Sequence, residues 1–343
     1  MVLPMTKTTQ IAADRAHDDT KTVLPAEVAR GVYIENPPSA EALKLMHLLI
    51  GKAGGRMADD VRHELRLADI KKIDGMRNHS RATLRKLFIE LAGAVIVFDD
   101  TEVQCEIIGG FLDRAKLDYR HEVSDDLLVA WWFGGAFREM AEKSCHWAIL
   151  DRQTVFALSS KYSILLFQHV ASLVNLDHVT SKTFTVAEFR AVLGVPDGKL
   201  KRWNDVNNFA LKPAIAEINQ TSRLMLTATP NKIGRTVASV TIAWEEKPLE
   251  GKRAAKAELD RPKVGREARR NGTAEMPAAA FPEAGGITYS PRWIELKRAA
   301  GCNKDNELIA TDFRRFCRER GIKLDAGNIE KLFSDFCAKV GRV

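Results

Sequence analysis

The stretch KLKRWNDVNNFALKPAIAEINQTSRLMLTATPNKIGR, residues 199–235, decides how this chain reads. Its bases are Lys199, Lys201, Arg202, Lys212, Arg223, Lys232 and Arg235, and its only acids are Asp205 and Glu217, a surplus of five within 37 residues. Bases that neutralise phosphates release condensed counterions, so such a cluster gives DNA affinity without regard to sequence. Asn204, Asn207 and Asn208 add amides that can donate to and accept from one adenine edge at once. The apolar pattern predicts a helix from about Trp203 to Asn219, which Pro213 should kink or restart. Strands Leu224–Thr229 and Thr236–Trp244 follow, joined through Pro230 to Arg235. Asn204 also reads as an N-cap if the helix starts at Asp205, and the whole row also fits a solvated helix face.

Upstream, Ser160–Leu173 predicts a long helix that turns Tyr162, Leu166, Phe167 and Val170 inward. A short helix, Val186–Leu193, ends at Gly194-Val195-Pro196. Three helices followed by a hairpin is the winged-helix order, in which the third helix enters the major groove and the hairpin lies along the backbone.

A first pass through the same grammar precedes it. Ala40–Ile50 is helical, His63–Leu67 is a short strand, and Ser80–Leu91 is a second helix. The strand Ala94–Phe98 can pair with an extended run from Val103 to Phe111. Trp131-Trp132-Phe133 reads as a core strand and Ala136–Lys143 as a helix. Asn78, Ser80 and Arg81 at the start of the second helix, with Arg85 and Lys86 behind them, parallel the later basic set; an exposed face capped by Ser80 fits equally.

The expected fold is therefore α+β and mainly helical: a flexible arm (1–37), two tandem winged-helix domains (38–155 and 156–249), a disordered linker (250–286) and a small three-helix module (287–343). The linker reading rests on Gly, Ala, Pro and charge with almost no large apolar residues. The module has Ser290-Pro291 before one helix, Gly321 after a second, and a third through Ile329, Leu332, Phe333 and Phe336.

The whole chain sets wider bounds. It has 343 residues, 45% hydrophobic and 28% charged, with a formal net charge of +7. Its cysteines, Cys105, Cys145, Cys302, Cys317 and Cys337, form no CxxC pair, which argues against a disulfide framework or zinc knuckle and for reduced thiols. The longest uncharged apolar run, Leu127–Phe137, is far below the ~18 residues of a membrane span. The expectation is a soluble, cytoplasmic protein with no membrane partner.

The stretch Leu158-Ser159-Ser160-Lys161-Tyr162-Ser163 with Leu166-Phe167 resembles the linking helix of the iteron-binding plasmid replication initiators, the RepA, RepB and RepE type. Phe184-Thr185-Val186, Glu188-Phe189-Arg190 and Leu193-Gly194 fit the same family. So do Lys199 to Trp203, Leu211-Lys212-Pro213-Ala214-Ile215 with Glu217-Ile218-Asn219, and Lys232-Ile233-Gly234-Arg235. The likeness is ordered over about 155–245 and looser over 38–155. Leu165, Phe167 and Gln168 stand where the family often has arginine, tyrosine and glutamate. Asn207 and Asn208 stand where lysine or arginine is common, which implies weaker phosphate binding and an altered base choice.

The resemblance implies an initiator that binds repeated origin DNA, opens the duplex and recruits the host initiator and replicative helicase. It also implies a monomer–dimer equilibrium and repression of its own promoter. The alternative is a winged-helix transcriptional repressor or plasmid-maintenance regulator without initiator activity. No enzyme or cofactor is expected. Gly194 to Leu200 has three residues between its glycines and lacks the P-loop Ser or Thr. No two histidines flank a single residue, as a nicking initiator requires.

Overall fold

The computed structural model describes residues 15–340 except 17, 31–32, 36, 74–75, 77–78, 101–102, 121–126, 175, 177, 273–279 and 327. The chain divides into two compact units between Lys263 and Val264.

The first unit opens with β1 (Lys21–Pro25), α1 (Ala26–Ala29), β2 (Tyr33–Glu35), α2 (Ala40–Ala53), β3 (His63–Arg66), α3 (Leu67–Lys71) and α4 (Arg81–Gly93). It continues through β4 (Val95–Asp100), β5 (Cys105–Gly110), β6 (Leu112–Asp118), β7 (Leu128–Phe133), α5 (Gly135–Lys143), β8 (Trp147–Asp151) and α6 (Arg152–Ala157). Its second half comprises α7 (Lys161–Leu173), β9 (Ser181–Thr185), α8 (Val186–Val192), α9 (Trp203–Val206), a π turn (Asn207–Leu211), α10 (Lys212–Thr221), β10 (Leu224–Ile233), β11 (Thr236–Glu246) and α11 (Leu249–Asp260).

Both halves share one topology. In the first, β3 lies between the first and second helices in sequence and pairs with β7, which becomes the central strand of a sheet completed by β6, its partner in the β6–β7 hairpin after the third helix. In the second, β9 takes the same place and pairs with β11 of the β10–β11 hairpin. The first half carries an insertion, the β4–β5 hairpin, which β2 extends into a separate three-stranded sheet.

The core runs through both halves, with α7 as its spine. Every residue from Ser163 to Leu173 is buried, as expected of a helix enclosed on all sides. Ser160 caps it by accepting from the Ser163 amide at 3.0 Å. Leu166, Phe167 and Val170 are buried as the spacing required, whereas Tyr162 is only partly so. In the first half Trp131 is fully buried and stacks on His63. Trp132 is partly exposed under the Arg114 guanidinium.

Two expectations need correction. The arm 1–37 is not free over its described part, because β1 pairs antiparallel with β8 and buries Val23 and Leu24. Its partner strand lies some 125 residues away, so no local pattern betrays it; residues 1–14 lie outside the described set. Nor is 250–286 a uniform disordered linker. Leu249–Asp260 is the helix α11, which packs on α10 and α6 and buries Ala255. The Gln153 side chain on α6 receives from Lys256 at 2.6 Å and donates to Asp260 at 3.2 Å. A helix so poor in large apolar residues is held by docking rather than by its own stripe. Residues 273–279 are outside the described set.

The second unit contains α12 (Arg266–Arg270), α13 (Pro291–Ala299), α14 (Asn306–Glu319) and α15 (Ile329–Val340). The last three stand where the sequence placed the tail helices. Their core joins Phe281, from the supposed linker, to Trp293, Phe313 and Phe333, with ring centroids 4.8–5.0 Å from Phe281. Cys302, Cys317 and Cys337 are free thiols lining this core, and burial pushes the Cys337 thiol up to about 12. Among the described residues no helix is long and apolar enough to cross a membrane.

Candidate nucleic-acid interface

The segment that presents Lys199 to Arg235 is built from α8 onward. Thr185 and Glu188 form a capping box at the start of α8, with Thr185 N donating to Glu188 at 2.8 Å and Glu188 N to Thr185 Oγ1 at 3.2 Å. The Thr185 amide holds the Glu188 carboxyl below its ordinary range. One turn on, the Arg190 guanidinium donates to the carbonyls of Lys199, at 2.7 Å, and Leu200. The loop it grips has Gly198 at φ 77° and Leu200 at φ 43°, a left-handed turn that a β-carbon resists at Leu200. Arg190 thus offsets the strain in the loop that carries Lys199, Lys201 and Arg202.

The helix beyond is not simply kinked at Pro213. The Lys212 amide donates to the Asn207 carbonyl, closing an i→i+5 turn over Asn207–Leu211, and Pro213 enters the first turn of α10. A proline ring collides with the carbonyl four residues before it, here that of Phe209; one widened turn relieves the clash. The buried side becomes Val206, Ala210, Leu211, Ala214 and Ile218. The exposed side carries Asn204, Asn208 and Lys212, spaced four apart, with Phe209 and Pro213 in the adjacent row. Asn208 Nδ2 donates to Asn204 Oδ1 at 3.1 Å, and Lys212 Nζ donates to Asn208 Oδ1 at 3.3 Å. Asn204 is therefore not an N-cap: the helix starts at Trp203, after Arg202. Asn207 is half-buried and less available than its neighbours.

The two acids leave this face uncovered. Glu217 turns toward the start of α7, where its carboxylate accepts from Ser163 Oγ at 2.5 Å and from the Ser159 amide at 3.2 Å. Asp205 forms no ion pair among the described residues. Arg223 lies 3.7 Å from Glu246, which also holds Lys252 at 2.6 Å. It leaves the basic count for that reason. Lys199, Lys201, Arg202, Lys212, Lys232 and Arg235 are not deeply buried, and no carboxylate among the described residues pairs with them.

The hairpin is longer than the sequence indicated. β10 runs to Ile233 and β11 starts at Thr236, so Pro230 to Ile233 are strand and the turn is Gly234-Arg235, with Gly234 at φ 61°. Glycine is needed there because the left-handed region excludes most side chains. A register shift falls between Asn231 and Lys232, and Asn231 Nδ2 bonds Thr241 Oγ1 at 2.9 Å.

Two further residues fix the helix to the hairpin: Asn219, read in the sequence only as a helix end and a part of the resemblance, and Lys247, on which the sequence reading was silent. Asn219 donates to the Leu226 carbonyl at 2.9 Å and accepts from the Leu226 amide at 2.7 Å. The buried Lys247 ammonium donates to the carbonyls of Asn219 and, at 2.8 Å, Ser222, opposite the negative end of α10. Asn219→Ala removes both bonds to Leu226. It is expected to cost about 1–3 kcal/mol in urea unfolding while leaving the exposed bases unaltered.

The parallel set in the first half is less complete. Asn78 lies outside the described residues. Ser80 is a cap: its hydroxyl accepts from the Thr83 amide at 3.4 Å while its own amide donates to Thr83 Oγ1 at 2.7 Å. Arg81 is half-buried, with its guanidinium 4.3 Å from the Tyr119 ring centre. Arg85 and Lys86 are exposed, and the neighbouring strand β6 adds exposed Arg114 and Lys116. Among the described residues no group of His, Cys, Asp and Glu could hold a metal ion.

Residues 185–244 match the family described as initiator Rep protein, WH2, a span that starts at the cap of α8 and ends near the close of β11. The structure is similar to that of a Pi initiator protein solved in complex with iteron DNA, with a TM-score of 0.52 and 14% identity. The match covers 67% of this chain and 98% of that one. No curated protein matches the chain. The likeness to plasmid replication initiators, first read from residues 155–245, is thus borne out by a family match over the second helix–hairpin unit and by a shared initiator fold.

Proposed function

We propose that the protein initiates plasmid replication by binding repeated origin DNA through two winged helices, one in each half of the first unit. The observation that carries this reading is the exposed Asn204–Asn208–Lys212 row, flanked by five further bases and shielded by no carboxylate among the described residues. Phosphate contacts from Lys199, Lys201, Arg202, Lys232 and Arg235 position the protein, and the amides read base edges. The first half, with the same strand order and with Arg85 and Lys86 on its third helix, engages a neighbouring stretch of the repeat. Once bound, the protein opens the duplex and recruits the host initiator and helicase; as a dimer it represses its own promoter.

The test supplies the gene with its flanking DNA on a fragment lacking any other origin. The expected result is autonomous maintenance, with footprints over tandem direct repeats. Protection of a lone palindrome without maintenance would make the protein a repressor and overturn the proposal.

A further inference from the structure

We infer that Phe209 is a specificity-determining residue that reads the C5-methyl groups of thymine in the major groove; this rests on the DNA-binding reading above. Phe209 is 68% exposed on the outer face of the third helix. It sits next to Asn208, in the row beside Asn204–Asn208–Lys212.

A single exposed phenylalanine is ordinary on a protein surface, but the backbone here places it there. In an uninterrupted α-helix, Phe209 lies three residues after the buried Val206 and four before Pro213, on the flank of the apolar side. The π turn that accommodates Pro213 spans Phe209, which stands exposed while Ala210 and Leu211 take the buried places; its wider pitch turns each residue through a smaller angle than an α-helix does, which sets Phe209 further round from Val206. Packing within the chain does not account for the ring: no ring contact or cation–π contact among the described residues involves Phe209. π turns recur at functional sites, and this one contains Asn208 and ends against Lys212, two of the residues that the proposed function uses.

The chemistry narrows what such a ring meets. Beside asparagines suited to adenine edges, an apolar ring in the major groove has one apolar partner among the base edges, the thymine methyl. A·T pairs present both features together, with the amide target on one strand and the methyl on the other. Each methyl removed from water against the ring contributes a modest gain, equivalent to roughly a three- to tenfold change in affinity.

The experiment uses the full chain and the duplex flanking its gene, amplified with either thymidine or deoxyuridine triphosphate. Uracil keeps the hydrogen-bonding edge and the phosphates and lacks only the methyl. Wild-type protein is expected to bind the uracil duplex several-fold more weakly than the thymine duplex. In Phe209→Ala that ratio should fall by roughly three- to tenfold, with Phe209→Leu in between and thermal stability unchanged in both.

An equal thymine-to-uracil ratio in wild type and Phe209→Ala would overturn the inference while leaving DNA binding intact. A drop in self-association in Phe209→Ala without any change in that ratio would also overturn it, and make the ring a contact between copies. Failure of the wild type to prefer its flanking duplex over unrelated DNA would instead remove the underlying reading, and the inference with it.

Discussion

Replacing Arg202, Lys212 and Lys232 together by alanine will weaken binding to specific and unrelated duplexes alike, by about 100-fold near ~0.15 M salt. The same variant will flatten the dependence of log affinity on log salt by roughly 2.7, about 0.9 for each phosphate left without its cation. At that salt each released counterion is worth about 1 kcal/mol, so three phosphates give about 3 kcal/mol. The estimate applies here because all three side chains reach solvent and none is committed to a carboxylate among the described residues. Among the described residues their removal costs no folding interaction beyond the 3.3 Å bond from Lys212 to Asn208, and stability should stay within about 0.5 kcal/mol. Asn208→Ala should behave differently. It changes the preference between sites by about 1–3 kcal/mol where the amide meets a base, with little change in slope. Titrations at four salt concentrations on both duplexes separate the two patterns. A uniform loss from Asn208→Ala, or an unaltered slope in the triple variant, would contradict these roles.

What the sequence made legible was whatever rests on local period or charge. The 3.6-residue spacing of Leu166, Phe167 and Val170 fixes the inward side of α7. The Thr185–Glu188 pair marks the start of α8, and the surplus of bases over 199–235 marks the exposed basic face on which the proposed interface rests. The missed features each depend on a partner distant in sequence. β9 has the exposed pattern Ser181-Lys182-Thr183 and becomes a strand through β11, and β1 becomes one through β8. α11 is rich in helix-forming Ala, Leu, Glu, Lys and Arg, but it lacks a large apolar stripe, and its place is fixed by docking, through Gln153 among others. Arg223 counted as a free base until Glu246 was placed beside it. Pro213 signalled a disturbance correctly, but its form, a widened turn upstream and not a bend, follows from the clash with the Phe209 carbonyl. Arg190 was visible only as part of a resemblance; its role comes from a loop ten residues away.

Mild acid will destabilise the first unit more than any surface substitution, because two histidines along α7 are buried in neutral form. His47, on α2, bonds Gln168 of α7 at 3.3 Å, and burial together with the charge of Arg152 holds it at about 4. His169, on α7 and packed against Phe184, is held at about 3 by burial and by the charges of Lys182 and Arg30. Both folded values lie below the ordinary 6.5. The unfolded chain therefore takes up protons first as pH falls. Stability is full above about pH 6.5 and is lost on acidification, continuing until pH reaches about 4 for His47 and about 3 for His169. At about 1.4 kcal/mol per pH unit and group, pH 5 removes roughly 2 kcal/mol for each histidine, or roughly 4 in all. That is a large share of the ~5–15 kcal/mol typical of a folded domain. Urea unfolding of the full chain at pH 7 and pH 5, read at the first unit's transition, should show this loss. His169→Leu should remove about half of the pH dependence, since leucine fills the site without a proton to gain. A loss between pH 7 and 5 that is unchanged in His169→Leu would show that the acid response arises elsewhere. Because α7 joins the two halves through one core, protonation there loosens the support of both hairpins at once. DNA affinity should then fall with stability below pH 6.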